Sequence, residues 1–536
     1  MQLKPNAPEM AKIGKTLIGS NWIGGKEAAS ETGRTFEARS AVDRRDLVGT
    51  FPESSAKDIE AAAKAARDAF EKWKNTPAPV RGAIVGRIGR ILEDQKAKLA
   101  HIVTREIGKT PRESEGEVQE AIDTAQFFQS EGRRLYGQTV PSEMPRKELY
   151  TYRRPIGVVG MITAGNFPMA VPSWKILPAI LSGNTVVWKP SEDAPVIADL
   201  FLRAMMDAGL PDGVVNIVHG GGGNAAGQFM IEGIDKGLFQ KFSFTGSTTV
   251  GRLIGEACGR QLQIPSLELG GKNPMIVMED ADIDNAVSGA LWAAYGTAGQ
   301  RCTSLGNLIL HKPIAEAFKA KFLEGLAKLP MGNPIEEGNG VTYGPMMNTR
   351  FGQRFLEHFE MGKKDGAKLL SGGAAWDEKN RDARVKGTIA HGTYMQPALW
   401  DGVTTDMNLF QNETFGPTVN FVTVPDFEEA MKAANGTPYG LSSSIYTENR
   451  QWVDQFKNRI SAGMSSINNS TTGAEAHLPF GGNGWSGNGT RESGIWVIDA
   501  YTKWHAVNDD ASGKLQLAQI ETSYAETKAA TDWVAL

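Results

Sequence analysis

A strand pattern runs straight into a polar turn in Thr185-Val186-Val187-Trp188-Lys189-Pro190-Ser191-Glu192. Short apolar runs that end in such turns are typical of strands buried on both faces of a sheet. Comparable runs occur at Val158–Ile162, Val214–Ile217 and Phe242–Phe244. Helical patterns separate them, at Ala170–Leu181, Ala194–Met206 and Thr248–Cys258. The alternation predicts βαβ units and an α/β fold built on a parallel sheet.

The flanking sequence extends this pattern in both directions. On the amino-terminal side, helical spacing of apolar residues follows Ser54 and returns in Val80–Glu106 and Arg112–Arg133. On the carboxyl-terminal side, a second alternating series begins after Asn273 and continues to about Ile467. A chain of 536 residues is too long for one hydrophobic core, so we expect more than one lobe.

The composition argues against several classes of protein. Hydrophobic residues make up 41% of the chain, the mean hydropathy is −0.30 and the formal net charge is −4. There is no basic stripe that would favour nucleic acid or an anionic membrane. Glycine and proline interrupt the most apolar stretch, Val158–Trp188, which argues against a membrane span. No apolar run follows Met1–Asn6, so we expect no secretory signal and a cytoplasmic protein.

Cysteine is scarce, since the chain holds only Cys258 and Cys302. So few cysteines predict a reducing compartment rather than a disulfide framework. Cys302 lies in the run Gly299–Ser304, where a loop of small residues would leave a thiol accessible to a substrate. Free cysteines are more often buried packing residues, so a catalytic thiol is one of two interpretations. We predict no metal site.

Two turns that follow strands suit a bound nucleotide. Thr245–Gly251 combines glycines with the start of a helix, where backbone N–H groups can approach a pyrophosphate. Lys189 and Glu192 have the donors and acceptors to bind the hydroxyls of an adenosine ribose. Each turn also has a simpler explanation: the glycines make a tight connection, and the charges are solvated.

Further residues suit the chemistry itself. Glu268 stands between leucines, an apolar setting that raises the pKa of a carboxyl group and suits it to take a proton from water. Asn166, in a Gly-Asn-Phe-Pro turn, is a candidate donor to a developing oxyanion. Glu413 and Phe415 would point to the same face of a strand-like stretch. The alternatives are an ion pair between Glu268 and Lys272 and a purely structural turn at Asn166.

Together these runs resemble the aldehyde dehydrogenase superfamily. They occur in its order and at its spacings, and the resemblance extends from about Ile18 to Trp504. The probability that several runs match in order by chance is far lower than the probability of a false match to any single motif. The matching runs are Gly165–Pro168, Trp188–Glu192, Phe244–Ser247, Leu267–Lys272, Gly299–Cys302 and Glu413–Pro417.

The resemblance implies a role for each matched residue. Cys302 would attack the aldehyde carbon as a thiolate, the side chain of Asn166 and the backbone N–H of Cys302 would hold the oxyanion, and Glu268 would activate the water that hydrolyses the thioester. Glu192 favours NAD, because a carboxylate repels the 2′-phosphate of NADP. NADP stays an alternative, because this side chain can swing aside in the superfamily. The implied cofactor ligands are Thr163, Lys189, Glu192, Gly246, Ser247, Glu413 and Phe415.

The resemblance also implies the domain organisation. A Rossmann-like nucleotide-binding domain would span residues 18–140 and 160–272, and a second α/β catalytic domain residues 273–481. A small β arm for oligomerisation would combine residues 141–159 and 482–508, and the protein would be a homodimer or a homotetramer. The tail, 509–536, either docks on a neighbouring subunit or frays, and its apolar end favours docking.

Within the superfamily the chain looks nearest to antiquitin, the α-aminoadipic semialdehyde dehydrogenase branch. In that branch a glutamate matching Glu120 and an arginine matching Arg301 anchor a zwitterionic substrate, and the backbone at Gly473 and Ala474 helps to hold its carboxylate. Trp174 and Thr303 complete the implied substrate contacts. A surface charge for Glu120 and structural support for Arg301 are the alternatives. The supporting runs are 116–120, 162–168, 296–303 and 473–475.

Two departures from that branch leave the substrate open. Gly165 replaces the phenylalanine of antiquitin, and the loop His477–Phe480 differs as well. A channel widened in this way would suit a broad range of aliphatic and aromatic aldehydes or semialdehydes. Two other functions also stay open, a coenzyme A-acylating aldehyde dehydrogenase and a non-catalytic protein on the same scaffold. The carboxylate at Glu268 argues against the first, and the complete set of matched residues against the second.

Overall fold

A computed structural model describes residues 16–222 and 225–516. The α-helices are α1 (Ala56–Trp73), α2 (Ala78–Asp94), α3 (Lys96–Ile107), α4 (Pro111–Glu131), α5 (Ala170–Leu181), α6 (Pro195–Asp207), α7 (Ala225–Asp235), α8 (Thr248–Arg260), α9 (Ile283–Tyr295), α10 (Lys312–Lys328), α11 (Pro334–Glu337), α12 (Thr349–Lys364), α13 (Asn408–Gln411), α14 (Phe427–Ala434), α15 (Arg450–Arg459) and α16 (Val497–Tyr501).

The strands alternate with these helices through most of the chain. They are β1 (Leu17–Ile18), β2 (Asn21–Ile23), β3 (Lys26–Ala28), β4 (Thr35–Arg39), β5 (Leu47–Pro52), β6 (Thr139–Val140), β7 (Lys147–Pro155), β8 (Val158–Ile162), β9 (Thr185–Lys189), β10 (Val215–Ile217), β11 (Lys241–Thr245), β12 (Ser266–Glu268), β13 (Asn273–Val277), β14 (Leu305–His311), β15 (Met331–Gly332), β16 (Lys368–Ser371), β17 (Val385–Lys386), β18 (Ala398–Asp401), β19 (Thr418–Val424), β20 (Tyr439–Gly440), β21 (Ser442–Tyr446), β22 (Met464–Ile467), β23 (Asn483–Gly484) and β24 (Thr502–Asp510).

The first large sheet has the strand order β12-β11-β8-β9-β10-β2-β3. Strands β8 to β12 are parallel, and β2 and β3 extend the sheet antiparallel at one edge. The chain proceeds from β8 through β9 to β10 and then returns to place β11 on the other side of β8. In open α/β sheets a ligand crevice forms at such a reversal, outside the carboxyl ends of the two strands.

The second large sheet has the order β16-β18-β19-β14-β13-β21-β22, and β16 is its antiparallel strand. It begins with β13, shortly after β12 ends the first sheet. Its strands β13 and β21 are buried along their whole length, which explains their continuous apolar or small-residue pattern. The segment that contains Cys302 lies between α9 and β14, at the amino end of a central strand.

A three-stranded sheet of β6, β7 and β24 forms a small arm. Strand β24 pairs antiparallel with β7 along nine residues, from Thr502 opposite Pro155 to Asp510 opposite Lys147. Residues 482–501 precede this strand. They include β23, which pairs with β20, and α16, which packs against α5. The domain boundaries stay predictions, because sheet membership alone does not divide the chain.

The fold class predicted from the sequence is confirmed: two α/β units and a small β arm. Strand β8 and helix α5 have the predicted ends. The single helix predicted for Val80–Glu106 is wrong, because the chain leaves the helical path at Gln95, where φ is −105° and ψ is 6°. Helix α2 packs on α4, α5 and α6, and α3 packs on α4 and α6, so the break lets two shorter helices follow the same neighbours.

The predictions about membranes and the tail have different outcomes. Within residues 16–222 and 225–516, no helix is long and apolar enough to cross a bilayer. Past β24, the Arg146 guanidinium donates to the carbonyl oxygen of Ser512 at 2.9 Å, so the start of the tail lies along the arm. The remaining tail residues, 517–536, lie outside the described residues.

Candidate active site

One large cleft is lined by loops from both seven-stranded sheets. Its volume is about 1290 Å³, above the range of roughly 300–1,000 Å³ of ordinary small-molecule sites. Thr163 and Gly246 line it where β8 and β11 end, at the reversal of strand order described above. With the exception of Glu268, every predicted site residue lines this cleft: Glu120, Thr163, Asn166, Trp174, Lys189, Glu192, Gly246, Ser247, Arg301, Cys302, Thr303, Glu413, Phe415, Gly473 and Ala474.

The loop that carries Cys302 has an unusual backbone. Thr297, Ala298 and Gly299 follow one another with φ of 53°, 53° and 68°, in the left-handed region. This region costs a non-glycine residue about 1–2 kcal/mol. Glu113 stabilises the turn by accepting the backbone N–H and the hydroxyl of Thr297 at 2.7 and 2.9 Å. Glycine is required at 299, because a Cβ atom there would lie 2.1 Å from the carbonyl oxygen of Gly416.

Asn273 holds the other side of the same loop. Its side-chain amide donates to the carbonyl oxygens of Cys302 and Ser304 at 2.8 and 2.7 Å. The Cys302 side chain is partly exposed and packs beside an apolar cluster that includes Trp174 and Phe480, whose ring centroids are 4.7 Å apart. The sulfur therefore has a fixed backbone, an apolar wall and access to the cleft.

Asn166 reaches the nucleophile loop from the first sheet. Its Nδ2 atom donates to the carbonyl oxygen of Gln300 at 2.8 Å, and the side chain is buried on the wall of the cleft. An amide nitrogen carries two hydrogens, so one remains for a ligand oxygen. The sequence prediction that Asn166 and Cys302 act at one place matches this juxtaposition.

Glu268 ends β12 and lies behind the cleft wall. Both carboxylate oxygens are buried without a hydrogen-bond partner among the described residues, so the alternative ion pair with Lys272 is not formed. A buried ion pair between Lys175 and Glu492, 2.7 Å apart, lies nearby. Burial and the neighbouring Glu492 carboxylate raise the pKa of Glu268 well above its usual value. The glycine at 481 leaves room for the Glu268 side chain, since a Cβ atom at this position would lie 2.6 Å from Glu268 Oε1.

The Cys302 thiol is electrostatically disfavoured as a thiolate. Burial raises its pKa to about 12, and the carboxylates of Glu268 and Glu413 add to the shift. Glu268 is therefore close enough to act on the sulfur electrostatically. Without a bound cofactor, Cys302 is a neutral thiol near neutral pH.

The half of the cleft beside the first sheet presents groups that suit a nucleotide. Ser247 caps the start of α8 by accepting the backbone N–H of Val250 at 3.4 Å. The Glu192 carboxylate lies 3.7 Å from the Lys189 Nζ atom and 3.5 Å from the Arg350 guanidinium. A helix start, a cation and a carboxylate at the ends of neighbouring parallel strands match the needs of a pyrophosphate and a ribose.

The carboxylate of Glu413 is fixed from two sides. It accepts the backbone N–H of Gly271 at 3.1 Å, and a Cβ atom at Gly270 would lie 2.1 Å from its Oε2 atom. Burial raises the pKa of Glu413 to about 7. Phe415 has a left-handed φ of 51° and packs against Phe351, with 5.3 Å between ring centroids. Residues 412–417 form no strand, contrary to the sequence prediction, but both side chains line the cleft, and the Glu413 carboxylate acts on Cys302 electrostatically.

Arg301 lines the cleft but has partners of its own. Its guanidinium donates to Glu113 at 2.8 Å and to the Thr297 hydroxyl at 3.0 Å, and it covers the ring of Trp292. Only 10% of the side chain is exposed. The same arginine therefore stabilises the left-handed turn, as the structural alternative expects.

Glu120 lies between this cleft and a second cavity of about 470 Å³. Burial, with Glu117 nearby, raises its pKa to about 8, and its Oε1 atom has no hydrogen-bond partner among the described residues. Gly473 and Ala474 follow Thr471, whose hydroxyl donates to the carbonyl oxygen of Thr303 at 2.8 Å. Gly165 widens the substrate channel less than the sequence predicts, because a Cβ atom there would already lie 2.7 Å from the Ser191 hydroxyl.

A model of the aldehyde dehydrogenase family matches residues 28–507. The chain belongs to the aldehyde dehydrogenase family. It is 36% identical over 494 residues to the α-ketoglutarate semialdehyde dehydrogenase of Haloferax volcanii, covering 91% of this chain and 98% of that protein. It is also 36% identical to the α-ketoglutaric semialdehyde dehydrogenase of Bacillus subtilis, over 90% of this chain and 96% of that protein.

Solved aldehyde dehydrogenases share the fold. A crystal structure of an NAD-dependent aldehyde dehydrogenase from Sinorhizobium meliloti superimposes with a TM-score of 0.88 at 32% identity, over 94% of this chain and 97% of that one. The betaine aldehyde dehydrogenase of Staphylococcus aureus, solved with NAD+, gives 0.87 at 28% identity, over 92% and 96%. This aldehyde dehydrogenase is an oxidoreductase that oxidises an aldehyde with NAD or NADP. The predicted antiquitin resemblance is not reflected in the Haloferax volcanii and Bacillus subtilis relatives, which are dehydrogenases of another semialdehyde.

Three glutamates of α4 line the cleft, and only Glu120 was predicted as a site residue. Glu113 supports the nucleophile loop, and Glu117 forms a buried ion pair with Lys109 while accepting the backbone N–H of Met169 at 2.9 Å. Lys109 in turn lies over the Phe167 ring, 3.3 Å from its centroid. The helical spacing of residues 113, 117 and 120 was an available signal, because it places all three on one face.

Lys175 and Arg350 were also missed. Lys175 is a lone lysine in the otherwise apolar helix α5, a pattern that indicates a buried ion pair. No sequence pattern indicated a role for Arg350, because only the tertiary structure brings α12 close to the turn after β9.

Proposed function

We propose that Cys302 is the nucleophile of this aldehyde dehydrogenase. Its sulfur would attack the aldehyde carbon and form a thiohemiacetal, whose oxyanion is held by the side-chain amide of Asn166 and the backbone N–H of Cys302. The observation that carries the proposal is Cys302, a partly exposed residue of the cleft, on a loop that accepts a hydrogen bond from the buried amide of Asn166. The fixed turn around Thr297 holds the sulfur in place, as a nucleophile requires.

We propose that Glu268 is the base of the second half-reaction. The thioester on Cys302 needs an activated water, and a carboxyl group with a raised pKa takes up a proton near neutral pH. No side chain of the described residues pairs with the carboxylate, so only the nearby Gly482 backbone N–H would be released when it turns towards the sulfur. The absence of a side chain at Gly481, next to Oε1, leaves the carboxylate room to move.

The cofactor would occupy the half of the cleft beside the first sheet. Bound NAD or NADP accepts the hydride that the thiohemiacetal releases. Lys189 and Glu192 would bind the adenosine ribose, and the backbone at Gly246 and Ser247 with the start of α8 would bind the pyrophosphate. Thr163, Glu413 and Phe415 would complete the site. Glu413 is held by Gly271, which suits it to position a ribose near Cys302.

We propose that the substrate is a semialdehyde with a carboxylate at its far end. Support comes from two relatives that are dehydrogenases of such a compound and from the cations that line the cleft. Lys109 and Arg301 are already paired with glutamates. Arg112 is exposed in the cleft, and its guanidinium has no ion pair within the described part of the chain, so it is the candidate anchor.

An amino-acid semialdehyde, as in the antiquitin branch, is the second candidate. The observation that favours it is the Glu120 carboxyl group, which lines the cleft with an unpartnered buried oxygen and would accept hydrogen bonds from an ammonium group. Gly473 and Ala474 line the same region. A bound ammonium group would favour the ionised form of Glu120, and this distinguishes a zwitterion from a plain carboxylate.

The decisive experiment for the reaction is a Cys302→Ala variant with Cys258→Ala as its matched control. Cys258 is fully buried in α8, so its loss should leave turnover nearly unchanged. Aldehyde-dependent cofactor reduction should disappear in Cys302→Ala alone. Turnover that survives there would overturn the role of Cys302. Acyl-coenzyme A as the product, or cofactor binding without turnover of any aldehyde, would favour the two alternative functions.

The substrate is tested by comparing kcat/KM for succinate semialdehyde, α-aminoadipic semialdehyde and propanal, each with both cofactors. The proposal expects the highest value with the anionic semialdehyde. A preference for the amino-acid aldehyde would support the second candidate, and equal values would indicate a broad specificity.

We also propose that the β arm joins copies of this chain into a dimer or a tetramer. The long pairing of β24 with β7 makes the arm a continuous surface, and Trp504 is 54% exposed on it. The predicted role of the tail belongs to the same proposal. Removal of residues 517–536 should change the sedimentation coefficient or the substrate range if the tail docks on a neighbour. Unchanged values for both would reject docking.

A further inference from the structure

The turn after β9 and the start of α12 are joined across the cleft. Asn348 caps α12 by accepting the backbone N–H of Phe351 at 3.0 Å. The same side chain donates to both carboxylate oxygens of Asp193 at 2.9 Å. Asn348 therefore fixes the first turn of α12 against the turn after β9, which is predicted to bind the ribose. Helix α12 belongs to the second lobe, and the turn after β9 belongs to the first lobe.

Arg350 lies on that first helical turn and faces Glu192. The guanidinium is 3.5 Å from one Glu192 oxygen, while the Lys189 ammonium is 3.7 Å from the other. Glu192 is therefore held between two cations from different parts of the chain. The Arg350 side chain is 51% exposed and its distance to Glu192 is long for an ion pair, so this contact opens readily.

These contacts define a site where one anion can replace another. With NAD, the ribose 2′-hydroxyl would donate to Glu192 and leave the ion pair intact. With NADP, the 2′-phosphate would repel Glu192 and need cations in its place. We propose that Arg350 exchanges Glu192 for the 2′-phosphate and thereby sets the affinity of this aldehyde dehydrogenase for NADP.

The proposal rests on the placement of the adenosine ribose given under the proposed function. It assigns opposite effects to two neighbouring side chains. Loss of the Arg350 charge should weaken only ligands that carry the 2′-phosphate. Loss of the Glu192 charge should strengthen those ligands and weaken NAD, because the repulsion and the hydroxyl acceptor are removed together.

The test is isothermal titration calorimetry without any aldehyde, so its outcome does not depend on turnover. NAD+, NADP+, 5′-AMP and 2′-AMP are titrated into the wild type, Arg350→Gln and Glu192→Gln. Arg350→Gln should weaken NADP+ and 2′-AMP by about 10- to 100-fold and change NAD+ by less than about twofold. Glu192→Gln should raise the ratio of NADP+ to NAD+ affinity by about tenfold or more.

Arg354→Gln is the positional control, because Arg354 lies one turn further along α12 and acts on Glu413 instead. It should leave the ratio of the two cofactor affinities unchanged. An Arg350→Gln protein that binds both cofactors equally less well would overturn the proposal, as would a wild type that does not bind 2′-AMP. A wild type that also fails to bind 5′-AMP and NAD+ would instead contradict the ribose placement itself. Thermal unfolding of each variant shows that the fold is retained.

Discussion

Asn166 and Gln300 are joined by a hydrogen bond of 2.8 Å, from the Asn166 side-chain amide to the Gln300 backbone carbonyl. The bond connects the loop after β8 to the loop that carries Cys302. Gln300 continues the connection, since its own side chain accepts the backbone N–H of Met347 at 3.0 Å. The candidate oxyanion donor is thus anchored to a backbone carbonyl of the loop that carries Cys302, which restricts its rotation relative to the thiol.

Asn166→Ala should lower kcat by about 10²- to 10³-fold, because it removes one donor to the oxyanion. The affinity for NAD+ and the alkylation of Cys302 should change little, because neither requires the amide. Stopped-flow cofactor reduction and calorimetric titration measure the two effects. Asn458→Ala is the matched control, since this exposed asparagine of α15 also makes one bond to a backbone carbonyl. An equal loss in both variants would contradict the assignment.

The reactivity of Cys302 should depend steeply on pH in the cofactor-free enzyme. With a pKa of about 12, the thiolate fraction grows about tenfold per pH unit below that value, and the rate of alkylation should follow it from about pH 7 to 10. Iodoacetamide labelling of the Cys258→Ala protein measures this rate. A plateau below pH 9 would show that the thiol is already ionised there.

Glu268→Gln should have opposite effects on two readouts. The Glu268 carboxylate raises the pKa of Cys302, so its neutralisation should lower that pKa and speed alkylation wherever Glu268 is ionised. Hydrolysis of the thioester should slow at the same time, and a burst of cofactor reduction should precede a slow steady state. Slower alkylation together with unchanged steady-state turnover would remove Glu268 from the mechanism.

Arg301→Gln and Arg112→Gln distinguish support from substrate binding. Arg301 is paired with buried Glu113 beside the left-handed turn, so its loss should lower stability by about 1–3 kcal/mol and reduce kcat/KM for every aldehyde alike. Arg112→Gln should raise KM for succinate semialdehyde while propanal and the melting temperature stay unchanged. The reverse pattern, with a selective effect of Arg301, would make Arg301 the carboxylate ligand.

Gly270→Ala should displace Glu413 without unfolding the protein. The added Cβ atom meets the end of a flexible side chain, 2.1 Å from Glu413 Oε2, so the carboxylate moves while the backbone stays in place. Hydride transfer should slow by about tenfold or more, because the contact that positions the cofactor is lost. Gly259→Ala in α8 is the control, since a Cβ atom there meets nothing within 4 Å. Normal hydride transfer in Gly270→Ala would argue against a role for Glu413.

Much of the fold was predictable because it follows from local patterns. The apolar run Val158–Ile162 and the helical pattern Ala170–Leu181 have the same ends in the structure as in the sequence analysis. Periodicity did not reveal the break at Gln95, because it depends on the packing of both helices on α4 and α6 and of α2 on α5 as well. Long-range packing therefore decided what the helical spacing left open.

Most residues of the candidate site were also predictable from the sequence. Thr163, Gly246 and Cys302 come to one cleft as the motif order indicates. The position of Glu268 behind the wall was not predictable, because a rotamer depends on neighbours such as Gly481, which is distant in sequence.

The sequence by itself determined the residue types of the chemistry, a thiol in a small-residue loop, an amide in a turn and a carboxyl group between leucines, because motifs are local and keep their order. Only the tertiary structure decided which charges meet. Arg301 pairs with Glu113 and Arg350 with Glu192 across 188 and 158 residues of chain. Such pairs form because folding brings distant segments within the few ångströms over which charged groups hydrogen-bond, and no local pattern encodes that distance.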